Sequence, residues 1–308
     1  MEENIENVII VGSGPAGYSA AIYTAREDFK PLMITGVEAG GQLELTTTVE
    51  NYPGFPEGIN GPDLMEMMRK QAERFGTRFV RDNVVDVDFT SKPLKVKTQS
   101  QEYYAKAVII ATGASAMWLG LESEKRLTGK GVSSCATCDA PFFKNKDVIV
   151  VGGGDTAMED SNFLTKFVNS VTIIHRRNEF RASKAMQDKV LSNPKIKVVW
   201  NSAVDEILGD IKVNGIRIKD VESGKTSEIK TDGVFVAIGH KPNTDFLKGK
   251  LTLDSKGYIV TKDEVETAIE GVFVAGDVMD PFYRQAATAA SGGVKAALRV
   301  REYLGKIQ

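Results

Sequence analysis

Two cysteines, Cys135 and Cys138, stand in the stretch SSCATCDAPFF at residues 133–143, separated by Ala136 and Thr137, and the chain has no others. A two-residue gap at the start of a helical turn brings two sulfurs within bonding reach. The amide dipoles of such a turn lower a thiol pKa, so that the sulfur reacts as thiolate. Asp139 follows at once and offers a carboxyl that can carry a proton for the pair; the same side chain could equally cap the turn. A structural zinc site needs about four ligands, and only His175 and His240 remain to join the pair, both inside other motifs. A c-type haem attachment fails because Asp139, not histidine, follows the second cysteine. Inert burial leaves the spacing unexplained. The pair therefore points to a redox dithiol.

Two segments of the chain must position that chemistry. VIIVGSGPAG at residues 8–17 and VIVVGGGDTA at residues 148–157 are copies of one device: a β-branched run, glycines, then a helical pattern. In Gly12-Ser13-Gly14-Pro15-Ala16-Gly17 the first glycine permits a tight turn and the second lets backbone approach a pyrophosphate. The third lets helix and strand pack closely, with the helix N-terminus facing the phosphates. The second copy, Gly152-x-Gly154-x-x-Ala157, has a small residue in third place. KAVIIATG (106–113) and DGVFVAIG (232–239) each close the segment that a glycine loop opens, and GVFVAGD ends at Asp277. This alternation predicts an α/β fold of two Rossmann-like dinucleotide-binding domains, one inserted in the other. The outer domain is read as residues 1–115 with 247–308, and the inserted domain as residues 116–246.

The residues downstream of each loop discriminate the ligands. After the second loop the next strand, VTIIHRRNEFRAS, ends in His175, Arg176 and Arg177, with Arg181 a turn later, where an NAD site has an acid. Planar guanidinium forks pair with phosphate oxygens at two points, which suits a 2'-phosphate and favours NADPH. The first copy has Thr35 and Gly36 at the corresponding place and no acid. GVFVAGD points to FAD there, with Asp277 accepting hydrogen bonds from the ribityl chain or serving as a helix N-cap. A nicotinamide, a flavin and a dithiol form one electron path. Because dithiol and NADPH loop share the inserted domain, the expectation is that the domains swing to present each in turn to the flavin.

Composition narrows the setting. Hydrophobic residues at 42% and charged residues at 26% describe a globular chain with ample core, long enough for about two domains. A net charge of -2 gives no field to attract nucleic acid or an anionic membrane. No stretch approaches a membrane span, and MEENIENVIIVGSG fits neither a secretory signal nor a transit peptide. A single adjacent cysteine pair is no extracellular disulfide framework, so the expected location is the cytoplasm.

The ordered series GSGPAG, ITGVEAGGQL, ENYPGFP, IIATGA, GVSSCATCDA, VGGGDTAME, IHRRNEFRAS, AIGHKPNT and VFVAGDVMDPFYRQA closely resembles the low-molecular-weight thioredoxin reductases over nearly the whole chain. The resemblance implies FAD on the outer domain, NADPH on the inserted one, a homodimer, domain rotation, and thioredoxin or a thioredoxin-like protein as partner. It also implies that Cys138 faces the flavin, that Cys135 exchanges with thioredoxin, and that Asp139 protonates the leaving thiolate. By motif, Gly12, Ser13, Gly14, Pro15, Ala16, Gly17, Thr35, Gly36, Gly41, Gln42, Asn51, Asp277, Arg284, Gln285 and Ala286 would line FAD. Asp155, Thr156, Ala157, His175, Arg176, Arg177, Arg181, Ile238 and Gly239 would line NADPH beside Gly152 and Gly154. One departure is Ala140-Pro141 after Asp139, where the family usually has glycine and an aromatic; proline removes a donor and fixes φ, which predicts a stiffer dithiol loop. Rival readings are a reductase of another disulfide acceptor, a redox-sensing flavoprotein without turnover, and an NADPH oxidase.

Overall fold

The computed structural model describes residues 5–46 and 48–307. The chain forms two compact units, residues 1–115 with 241–308 and residues 116–240. The return crossing therefore lies at 240/241, and residues 241–246 belong with the outer unit rather than, as the sequence suggests, with the inserted one. Local hydrogen bonds account for this. Asn243 donates from its backbone to the Gly113 carbonyl and from Nδ2 to the Thr112 carbonyl, and Thr244 Oγ1 donates to the Gly257 carbonyl.

In the outer unit the β-branched run Ile5–Val11 is a buried central strand, parallel to Leu32–Ile34 on one side and Glu102–Ile110 on the other. Arg78–Val80 extends the parallel sheet beyond Leu32–Ile34. Strand Glu102–Ile110 divides its far edge: residues 102–105 pair antiparallel with Leu94–Thr98, and residues 108–110 pair parallel with Val272–Val274. Val84–Asp88 completes an antiparallel meander. Helices Pro15–Arg26, Gly61–Arg74 and Ala286–Ile307 contribute Tyr18, Met65 and Val300 to the core on one face; Leu94, Val96 and Leu247 lie in the core on the other. Each such fully buried aliphatic side chain contributes about 1.5–3 kcal/mol.

The inserted unit repeats this plan. Five parallel strands run in the order 132–133, 233–236, 147–151, 170–174, 196–199, and a separate antiparallel meander comprises 202–208, 215–220 and 226–230. Helices Asp155–Leu164 and Lys184–Leu191 cover one face through Met158, Leu164 and Val190, while Ile207, Ile216 and Ile218 of the meander lie in the core of the other. Strands buried on both faces explain why the sequence shows continuous apolar runs rather than alternation. Among the described residues no helix is long and apolar enough to cross a membrane.

Candidate active site

The first glycine loop is shaped by backbone contact. Gly12 has φ +106° and donates to the Ile34 carbonyl at 2.9 Å. A β-carbon on Gly17 would stand 2.1 Å from the Gly12 carbonyl oxygen, so helix Pro15–Arg26, with Pro15 in its first turn and Ala16 buried, can begin here only because Gly17 has none. Gly14 borders open space, the place a phosphate would take. Ser13 is buried; its hydroxyl donates to the Thr35 carbonyl at 2.8 Å and accepts from the Gly40 amide at 3.0 Å, which pins residues 35–41 beside the loop. Gly41 comes to Gly14, and Thr35 Oγ1 is taken by the Gly36 and Val80 carbonyls. Gly36 is half-buried and Gln42 exposed. Asn51 Nδ2 donates to Gln285 Oε1 at 3.1 Å and so joins two predicted FAD residues remote in sequence; Ala286 then opens the last helix.

Asp277 supplies the test of whether this unit fits a flavin nucleotide. Its Oδ1 is buried and has no hydrogen-bond partner. Burial first, and then Asp280, push the carboxyl up to about 6 against the opposing pull of Arg284. An orphaned buried acceptor demands a donor, and ribityl hydroxyls are donors; the helix-cap alternative leaves the atom unexplained. The residues fit FAD.

The second loop shares the backbone plan. A β-carbon on Gly152 would meet the Ala237 carbonyl oxygen at 2.3 Å and the Ala157 β-carbon at 2.8 Å, and Gly154 again borders open space. Arg176, Arg177 and Arg181 are exposed and form no ion pair among the described residues. They are stitched to the loop by the Arg181 amide, which donates to the Gly153 carbonyl at 2.8 Å, and by Asp155 Oδ1, which accepts the Ser183 amide at 2.8 Å and hydroxyl at 3.0 Å. Three unpartnered guanidinium groups anchored to a phosphate-type loop suit NADPH. His175 differs from them. It is buried, its Nε2 lies 2.9 Å from the Glu179 carbonyl oxygen, and it packs with Phe180 and Trp200. Burial, with Arg181 and Arg177, holds the imidazole below its ordinary value. Its ring lies so close to Gly153 that a β-carbon there would be 2.2 Å away, so His175 supports the loop from behind. Thr156, Ile238 and Gly239 are half-buried, and the Gly239 carbonyl accepts the Met117 amide at 2.9 Å.

Cys135 and Cys138 form a disulfide with Cα atoms 5.3 Å apart. Cys135 precedes the single helical turn Ala136–Asp139, and the Asp139 amide donates to the Cys135 carbonyl at 3.2 Å, as the two-residue gap requires. Both cysteines are half-buried. Burial pushes the Asp139 carboxyl up. Pro141 sits in the first turn of the 3-10 helix Ala140–Phe143, where no amide donor is needed, so it removes no hydrogen bond; Ala140 is fully buried. Phe143 locks the turn onto Phe235 at 5.1 Å between ring centroids and fills the space left by Gly233.

Sequence reasoning missed Ser133, Gly153 and Ser183. Ser133 carried a local signal, since a serine two residues before Cys135 can close a turn on its amide. Gly153 and Ser183 carried none, because their partners are remote.

The family model for pyridine nucleotide-disulphide oxidoreductases matches residues 6–293. A thioredoxin reductase of Rickettsia prowazekii is 51% identical over 304 residues, 97% of this chain and 98% of that protein. One from Streptomyces clavuligerus is 53% identical over 308 residues, 99% and 95% of the two chains. The crystal structure of thioredoxin reductase from Streptococcus pyogenes superposes with a TM-score of 0.94 at 39% identity, over 99% of this chain and 100% of its own. Two glycine loops, an orphaned buried carboxylate oxygen, a cluster of exposed arginines and a disulfide thus coincide with likeness over nearly the full length, and the chain belongs to the pyridine nucleotide-disulphide oxidoreductase family, in its thioredoxin reductase branch.

Proposed function

We propose that this chain is an NADPH-dependent, FAD-containing disulfide reductase whose acceptor is thioredoxin. The observation that carries the reading is the Cys135–Cys138 disulfide with a half-buried carboxyl, Asp139, at the end of the same turn. Gly12 to Gly17, the 35–41 segment, Asn51, Asp277 and the 284–286 segment would hold FAD on the outer unit. Gly152, Gly154, Asp155 to Ala157, Arg176, Arg177 and Arg181 would hold NADPH on the inserted one, backed by His175. Bound there, the two cofactors supply the electron pair that opens the disulfide.

The chain's own groups do the rest. Opening the disulfide takes two electrons and two protons and leaves two thiols. Asp139, its carboxyl held up by burial, keeps a proton at higher pH than an exposed aspartate and can deliver it to the thiolate that leaves. In the exchange the Cys135 thiolate attacks the partner's disulfide and forms a mixed disulfide; Cys138 then attacks Cys135 and releases the partner as a dithiol. The reading further assigns a homodimer, a cytoplasmic location and alternation of the two units between half-reactions.

Anaerobic NADPH should bleach the flavin absorbance, NADH should do so far more slowly, and oxidised thioredoxin should restore it. Bleaching without restoration would make the chain a sensor. Oxygen-dependent NADPH consumption that survives replacement of both cysteines by serine would make it an oxidase.

A further inference from the structure

In the first nucleotide site Thr35 and Gly36 stand where an acid would bind a ribose, so the adenosine end has to be shaped by something else. The segment is poor at holding itself. Gly36, Gly40 and Gly41 have φ of +83°, +94° and +70°, and glycines lose the most conformational freedom when they are ordered. Side chains of neighbouring segments supply the order. Ser13 holds the two ends, through the Thr35 carbonyl and the Gly40 amide. The middle is held from strand Arg78–Val80, whose parallel pairing puts Val80 opposite Ile34, so that both chains leave the sheet at the same edge. Asn83 Oδ1 accepts the Val37 amide at 3.0 Å, and Arg81 Nε donates to the Val37 carbonyl at 3.0 Å. Both backbone groups of Val37 are thus taken by side chains.

Asn83 is itself fixed by its neighbours. Its amide donates to Asp82 Oδ1 at 2.7 Å, and its carbonyl accepts the Gln99 amide at 3.1 Å. Asp82, only 9% exposed, accepts the Ser100 amide at 3.0 Å and the Ser100 hydroxyl on its other oxygen. A backbone N–H needs an acceptor, so the bond to Val37 also decides which end of the Asn83 amide faces the loop. In doubly wound sheets ligands bind where the parallel strands end, and the loop after the second strand reads the ribose. We infer that Asn83 is a positioning residue for the adenosine end of FAD. By holding Val37 it forms the 35–41 loop in advance, and order present before binding costs no affinity. The inference rests on the reading that FAD binds the outer unit.

The test strips the full chain of flavin, reloads it, and takes three readouts: FAD affinity by fluorescence quenching, ADP affinity by displacement of FAD, and the spectrum and midpoint potential of the bound flavin. Asn83 is exposed, so its truncation leaves the core intact. Asn83→Ala should weaken FAD and ADP by the same factor, about three- to tenfold, the worth of one hydrogen bond. The spectrum and potential of the flavin should not move. Asn83→Asp keeps an acceptor for the Val37 amide and should restore both affinities in high salt, which screens the added charge. A shifted flavin potential, an ADP affinity that does not fall with that for FAD, or a loss that Asn83→Asp does not restore would overturn the inference alone. A wild-type chain that takes up no FAD would overturn the FAD assignment, and the inference with it.

Discussion

The two glycine loops follow one backbone plan and are held from opposite sides. In the first, Gly17 closes on the Gly12 carbonyl, and a side chain in front, Ser13, ties the loop to a neutral segment through Thr35 and Gly40. In the second, Ala157 takes the third place and a buried imidazole lies beneath Gly153. The loop is tied to a cationic segment by the Arg181 amide and the Asp155–Ser183 pair. Strand, turn and helix N-terminus give both loops a geometry that suits a phosphate. On the proposed reading, the segment to which each loop is fastened selects its nucleotide.

The largest effect that would break this comparison is Gly17→Val. Its side chain has to displace backbone, so stability should fall by more than about 3 kcal/mol and bound flavin should be lost. Ala157→Gly at the matching place should cost only about 1 kcal/mol. Denaturation midpoints and flavin absorbance check both, and a Gly17→Val protein that kept its flavin would show that the close approach does not shape the site. Next, replacing Arg177 and Arg181 together by alanine should raise the KM for NADPH about 10- to 100-fold, the worth of one or two charge-assisted hydrogen bonds. The KM for NADH and the melting temperature should not move; an equal change for both nucleotides would mean that the corner reads no 2'-phosphate.

Gly153→Ala should sharpen the contrast between the loops. The added methyl must push the His175 ring away, at a cost of about 1–3 kcal/mol, and NADPH affinity should fall while flavin content stays intact. The smallest effect concerns Asp277. Its folded value of about 6 lies above the ordinary 3.8, so the folded state binds this proton more tightly than the unfolded chain. Stability of the flavin-free protein should therefore fall as pH rises from about 4 to about 6 and level off above. Asp277→Asn should flatten that slope in melting curves, and so should added FAD.

Much of the fold was legible because its signals are local. β-Branched runs ending in glycine read as buried parallel strands, and the second occurrence of the device marked the inserted unit. The boundary at 240/241 was not legible, since the hydrogen bonds of Asn243 to Thr112 and Gly113 that place it span a whole inserted unit. Cys135, Cys138 and Asp139 share one helical turn, so their spacing announced their proximity. His175 and Arg181 lie in one motif and read alike, yet one is buried behind the loop and the other exposed beside it. Motif membership does not say which way a side chain faces. Pro141 read as a constraint, and the structure gives it a position that needs no amide donor.

By itself the sequence determined the chemistry available: a dithiol, a carboxyl next to it, two phosphate-type loops and a cationic corner, because each is a short-range pattern of residue types. Only the tertiary structure decided which acceptor is left without a donor at Asp277 and which ring backs Gly153. Those facts depend on which surfaces the sheets and helices bring within a few ångströms, and burial then makes each unmatched polar atom or added methyl costly.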